Sequence, residues 1–254
     1  DPLSRIRIGI DLGGTKIEAA AVRGESEVLW RERVPTPQGD YDATVRAVAG
    51  LVARLAGDCG LAADAAVGIG APGSISPVSG LQRNSNSTCL NGRPFAQDLE
   101  RALARPVRMA NDANCFALAE AIAGAARGAG VVFGVILGTG VGGGVVIDRV
   151  ARTGRNAVGG EFGHGQQQGL GIEALIGGRP HEPRQCYCGQ VDCREQYIAG
   201  PAVEREYLAR SGRRLRLPEI EAAALAGDSI ASAAVVRWAA RLAVSLGDVV
   251  NLLD

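Results

Sequence analysis

The sequence predicts a duplicated α/β protein, and three observations carry that expectation. Short apolar strand-like runs alternate with segments at helical spacing; two glycine-rich turns each follow a strand; and each turn opens a strand-rich half, with the join near residues 110–130. A chain of 254 residues has room for one large domain or two modest ones at roughly 150 residues each.

Taken in order, residues 5–11 alternate and end at Gly13-Gly14, residues 17–22 are small and apolar, and 28–34 form a third run. A β-meander is the expected opening. Residues 41–56 place Val45, Val48, Leu51, Val52 and Leu55 at helical spacing, and 66–71 return to strand. Residues 72–94 are rich in Gly, Ser, Asn and Pro, a long polar loop of the kind that carries binding function inside a compact domain. A helix over 95–104, a strand over 107–110 and a helix over 113–126 follow. Strands at 131–137 and 145–148 flank the second glycine turn, Gly138 to Gly144, and 159–178 are irregular. Helices are expected over 201–210, 218–226 and 229–253.

Hydrophobic residues make up 46% and charged residues 21%, which excludes disorder, collagen-like repeats and a coiled coil. With 27 basic against 27 acidic residues there is no overall field to draw nucleic acid or an anionic membrane, so neither is an expected partner. No run approaches 18 continuous apolar residues, and the first ten lack a cationic start and an apolar core, so no membrane span or signal peptide is read and a cytoplasmic protein is expected. In that setting the six cysteines suit free thiols or a metal site better than disulfides.

Asp11-Leu12-Gly13-Gly14-Thr15-Lys16 can be a plain hairpin turn, because Gly-Gly supplies the backbone angles such turns need. It can equally cradle phosphate: glycine exposes backbone N–H groups, Thr15 adds a hydroxyl, Lys16 a cation and Asp11 a carboxylate for Mg²⁺ or its waters. A second glycine hairpin at Gly138-Thr139-Gly140-Val141-Gly142-Gly143-Gly144 favours the cradle, since two hairpins can close on one triphosphate. In Asn111-Asp112-Ala113-Asn114, either Asx can be a helix N-cap, and Asp112 can also serve as a base that orients a hydroxyl and accepts its proton late. His164 with Cys186, Cys188 and Cys193 makes a complete tetrahedral zinc set of structural type; buried or disulfide-linked cysteines are the alternative. Such an ion would fix Glu161 and Glu195, which flank it in sequence. His181, between prolines, reads as solvated. The amides and hydroxyls of Ser74, Asn84, Ser85, Asn86 and Asn91 are mostly turn formers, yet each can read sugar hydroxyls.

Together, residues 11–16, 111–114, 137–144, Gly160-Glu161-Phe162-Gly163-His164 and 186–195 resemble the ROK family of bacterial sugar kinases, in family order and across the whole chain. The resemblance implies an α/β actin-like/hexokinase (ribonuclease H-like) two-lobe fold with a zinc-stabilised loop, and ATP and sugar in the cleft. It implies ATP-phosphate contacts from Asp11, Gly13, Gly14, Thr15, Lys16, Thr139, Gly140, Gly142 and Gly143, and a catalytic base in Asp112. It further implies sugar contacts from Gly73, Asn86, Asn111, Asp112, Glu161, His164 and Glu195, and zinc ligation by His164, Cys186, Cys188 and Cys193. The expected activity is an ATP:hexose 6-phosphotransferase using Mg²⁺, most similar to the fructokinase/mannokinase branch through residues 72–77, 84–88 and 90–95. N-acetylglucosamine kinase and glucokinase are the alternatives within the family. A sugar-responsive transcription regulator, or a sugar-binding fragment without activity, is the alternative outside enzyme function. A homodimer is the expected assembly.

The expected division is residues 1–115 as N-terminal lobe, with the first phosphate loop and the sugar loop, and 116–254 as C-terminal lobe, with the second phosphate loop and the zinc loop. The second lobe is expected to be truncated, because relatives continue past Asn251-Leu252-Leu253-Asp254 into a strand and a glycine loop that supports the adenosine. Two further departures stand out. Asp192 replaces a glycine at a left-handed turn that Asp tolerates, and Gln166-Gln167-Gln168-Gly169 replaces a more apolar, Pro-containing segment of the sugar loop.

Overall fold

Ile6–Leu12 (β1), Lys16–Arg23 (β2) and Glu27–Pro35 (β3) form the antiparallel meander expected from their alternation. The computed structural model describes residues 6–62, 64–167, 177 and 182–253; His181, Gln168, Gly169 and Asp254 lie outside them. Val67–Ala71 (β4) and Val107–Asn111 (β7) then add in parallel on the far side of β1, giving the strand order β3-β2-β1-β4-β7. Between β4 and β7 the polar loop makes only a two-residue ladder, Ser74–Ile75 (β5) with Gln82–Arg83 (β6), and a single turn at Thr88–Leu90.

Helix α1 (Tyr41–Cys59) starts where the Asp40 carboxylate accepts from the Ala43 N–H at 2.8 Å and stops at Gly60, which takes the left-handed conformation at φ 60. Its stripe of Val48, Leu51, Val52 and Leu55 is buried with Ile8, Ile10, Ile17 and Ile69 of the sheet, and Phe95–Leu103 (α2) adds Phe95 and Leu99 to the same core. Asp112–Ala123 (α3) follows β7 directly and ends at Gly124, three residues short of the expected end.

Val131–Leu137 (β8), Val141–Ile147 (β9) and Val150–Ala151 (β10) form a separate sheet in the order β10-β9-β8. Here the sequence reading needs correction, because β9 starts at Val141, not at 145, and takes Gly142, Gly143 and Gly144 into the strand. The cause is close packing on α3. A Cβ on Gly144 would lie 2.4 Å from the Ala113 carbonyl, and one on Gly134 would lie 2.7 Å from the Ala117 methyl. These glycines let strand and helix backbones approach, which composition alone cannot separate from turn formation.

The chain divides into two compact units, residues 1–134 with 144–160 and residues 135–143 with 161–254. In the second, Gly200–Ser211 (α5), Leu217–Leu225 (α6) and Ser229–Leu253 (α7) bury Val203, Tyr207, Ile220, Ala231 and Ala234 together, and Glu195–Ile198 (α4) packs on α5 and α7. Among the described residues α7 is the one helix long and apolar enough to cross a membrane. Its Arg237 and Arg241, however, are only 2% and 5% exposed and both bond Glu206 of α5, at 2.5 and 2.6 Å. A charged triad across two helices is the signature of a helix packed on protein.

Candidate active site and metal centre

In the first unit the parallel strands set the site. Asp11, one residue before the end of β1, lies opposite Gly70 of β4, and Ala71 ends β4 opposite Asn111, so three carboxyl strand ends lie side by side. Ligands of parallel sheets bind at this edge. The turn after β1 is tight: the Gly13 N–H donates to the Lys16 carbonyl at 2.9 Å, and the Thr36 hydroxyl and N–H hold the Gly13 and Thr15 carbonyls at 2.7 and 3.1 Å. Gly14 lies beside the polar loop, since a Cβ there would meet the Ser87 hydroxyl at 3.8 Å and the Asn86 amide oxygen at 4.0 Å.

Gly73 adopts φ +78, and a Cβ on it would lie 2.2 Å from the Arg83 carbonyl. Only glycine fits. Its carbonyl accepts from the Asn111 side chain at 3.2 Å, while the Asn111 amide oxygen caps α3 through the Asn114 N–H, also at 3.2 Å. Asn111 is therefore the N-cap, and the Asp112 carboxylate is free of that duty, accepting from the Ala113 N–H at 2.9 Å.

Burial pushes the Asp112 carboxyl above the ordinary carboxylate range; the Ala113 N–H opposes this and Asp11 adds to it. Burial and then Glu18 push Asp11 upward too, against the pull of Lys16 and Arg33. Asp11, a partly desolvated carboxylate near the end of β1, is an oxygen donor of the kind that suits Mg²⁺ or its waters.

In the second unit the residues around the cysteines converge. The donor atoms of His164, Cys186, Cys188 and Cys193 all lie within 4.8 Å of one another. Cys186 Sγ is 3.6 Å from His164 Nδ1, and Cys188 Sγ is 3.6 Å from Cys193 Sγ. Tetrahedral zinc with Zn–S near 2.3 Å would place sulfurs about 3.8 Å apart, so the set fits the ion. His164 Nε2 meets the Tyr187 hydroxyl at 3.1 Å, the outer hydrogen bond that orients a metal-bound imidazole.

The loop is tied down by its backbone. Cys186 N–H donates to Gln190 O at 2.9 Å, and Asp192, at φ 59, turns the chain back toward the ligand set. Where glycine would supply only conformational freedom, the Asp192 carboxylate also accepts from the Arg184 N–H at 2.9 Å and the Tyr197 hydroxyl at 2.6 Å. Gln167, in the polar replacement segment, is buried and bonds the Arg241 carbonyl and the Ser245 hydroxyl of α7 at 3.4 and 3.1 Å.

Glu195 is 8% exposed and accepts from the Val141 N–H at 3.0 Å. A Cβ on Gly140 would lie 2.6 Å from that carboxylate, and one on Gly163 would lie 2.1 Å from the Val141 carbonyl. The second glycine hairpin, the Glu161–His164 turn and the zinc loop are thus one assembly within the second unit. Thr139 and Gly140 sit at the hairpin tip, and Gly142 and Gly143 just beyond it in β9. Sequence reasoning missed Tyr187, which looked like a spacer between two cysteines. It also gave no role to Gly163, whose place in the quoted motif was its only signal.

Comparison with known proteins agrees with this arrangement. The ROK family profile matches residues 7–254. Over 257 aligned residues the chain is 40% identical to the N-acetyl-D-glucosamine kinase of Shigella boydii serotype 4 (strain Sb227), covering 97% of this chain and 80% of that protein. A ROK hexokinase from Thermus thermophilus superposes with TM-score 0.78 at 31% identity, over 98% of this chain and 78% of that one. A ROK glucokinase from Streptomyces griseus, solved with glucose and AMPPNP, gives 0.77 at 30% identity over 98% and 80%. The chain belongs to the ROK family, and its fold is the actin-like α/β fold of the ROK hexokinases and glucokinases.

Proposed function

We propose that the chain transfers the γ-phosphoryl group of ATP to the primary hydroxyl of N-acetylglucosamine. The observation that carries this reading is the 40% identity to an N-acetyl-D-glucosamine kinase over 97% of the chain. In this reading the alternative of an N-acetylglucosamine kinase takes precedence over the fructokinase expected from the polar loop, because the similarity to that relative runs along the whole sequence.

Phosphoryl transfer passes through a loose transition state, so positioning and charge stabilisation do most of the work. Asp112 accepts the proton of the attacking hydroxyl, and Gly73, Asn86, Asn111, Glu161, His164 and Glu195 hold the sugar. The Asp11 to Lys16 turn, with Thr139, Gly140, Gly142 and Gly143, receives the phosphates. Mg²⁺ bound through Asp11 or its waters would neutralise phosphate charge. Zinc held by His164, Cys186, Cys188 and Cys193 would fix the loop that orients Glu195 and His164.

With ATP and Mg²⁺, kcat/KM for N-acetylglucosamine is expected to exceed that for fructose by tenfold or more, since a site that hydrogen-bonds one sugar leaves polar groups unpaired with another. Faster ADP release with fructose in a coupled assay would overturn the substrate assignment. Metal analysis of protein purified without chelators should find one zinc per chain, lost in Cys193→Ser; metal-free native protein would remove the zinc site.

A further inference from the structure

Tyr187 is the one aromatic side chain between the cysteine ligands, and closing the loop does not require it. Its ring meets His164 edge-on, with centroids 5.2 Å apart and planes at 86°, and the residue is otherwise 60% exposed. The two edges of the His164 imidazole are divided. Nδ1 faces the Cys186 sulfur at 3.6 Å, while Nε2 faces the Tyr187 hydroxyl at 3.1 Å.

Tyr187 therefore neighbours His164, one of the three residues of the second unit, with Glu161 and Glu195, to which sugar contacts are assigned. Those three are an imidazole and two carboxylates, suited to hydroxyl groups and poorly suited to a methyl. Tyr187 places an exposed aromatic face beside His164, and such a face attracts apolar groups.

We propose that Tyr187 determines sugar specificity: its ring receives the acetamido methyl of a 2-acetamido hexose, and its hydroxyl shares a hydrogen-bond network with His164. The inference rests on the hexosamine kinase reading and names the group that would separate N-acetylglucosamine from glucose.

The test compares kcat/KM for these two sugars in the wild type, Tyr187→Ala, Tyr187→Gln and Tyr187→Phe, with zinc content measured for each and sugar Kd values taken by calorimetry. Loss of one apolar contact is worth roughly 10-fold or more in discrimination. Tyr187→Ala and Tyr187→Gln should lower kcat/KM for N-acetylglucosamine by about tenfold, mainly through KM, while glucose changes by less than about threefold. Tyr187→Phe should keep the wild-type ratio. If either of the first two variants retains zinc and the wild-type ratio, or loses both sugars equally, the specificity role is overturned and a purely structural one replaces it. Tyr187→Gln decides should the alanine variant lose zinc. A wild type that binds N-acetylglucosamine more tightly than glucose without turning either over contradicts the kinase reading and leaves the Kd ratio to judge Tyr187. A wild type indifferent between the two sugars overturns this inference and leaves hexose phosphorylation standing.

Discussion

Asp112→Asn should lower kcat by about 10²–10⁴-fold while sugar binding is retained. The amide keeps the size of the side chain and can still accept from the Ala113 N–H, the bond the carboxylate makes at 2.9 Å. Helix α3 keeps its cap, because Asn111 and not Asp112 supplies it. What is lost is the proton acceptor. The pH profile should show the same group. Burial, with Asp11 adding and the Ala113 N–H opposing, holds the Asp112 carboxyl above 3.8, so the base form disappears as pH falls through that raised value. The acid limb of wild-type kcat should therefore lie above the ordinary Asp range. The sign for stability is opposite: a raised carboxyl makes the ionised form the less favourable one in the fold, so Asp112→Asn should unfold no more easily than wild type at neutral pH. Undiminished sugar-dependent ADP release by this variant would show that Asp112 is not the base.

The second large effect is on stability. Glu206→Gln should cost about 3–5 kcal/mol, because it leaves two buried guanidiniums facing a neutral amide. Arg237 and Arg241 keep 3% and 5% of their side chains exposed and Glu206 keeps 12%, so water cannot replace the lost partner. At roughly 2–4 °C per kcal/mol for a chain of this size, the unfolding midpoint should fall by about 10 °C. Trp238 reports the event directly: it lies on α7 and donates to the Ile198 carbonyl at 2.9 Å, and a Trp30→Phe background silences the other tryptophan. Burial raises the Glu206 carboxyl, but the hydrogen bonds and charges of Arg241 and Arg237 outweigh it and hold the group low. A lowered carboxyl contributes stability that is full above its unfolded value near 4.5 and is lost as pH falls through the folded value. Wild type should therefore lose part of its advantage over Glu206→Gln at acid pH. Equal midpoints at neutral pH would show that the triad contributes nothing net.

Much of the fold was legible because periodicity and burial coincide in the first unit. The meander, the α1 stripe and the strand ends at Asp11 and Asn111 follow from local pattern. The site was legible where chemistry demands particular residues in sequence order, as in the cysteine cluster and the Asn111-Asp112 step. Contacts remote in sequence were not. Gly144 looks like a turn residue until Ala113 is seen 2.4 Å from where its Cβ would be. Nothing in residues 195 and 141 predicts that the Glu195 carboxylate caps the Val141 N–H at 3.0 Å. Tyr187 reads as a spacer until His164, 23 positions earlier, is placed against it.

The most direct test is ³¹P NMR of the product formed from N-acetylglucosamine, ATP and Mg²⁺. The account predicts a phosphomonoester coupled to the two protons of the primary carbon, formed one-for-one with ADP and absent in Asp112→Asn. ADP release that does not depend on sugar, or a phosphate coupled to the anomeric proton, would contradict it.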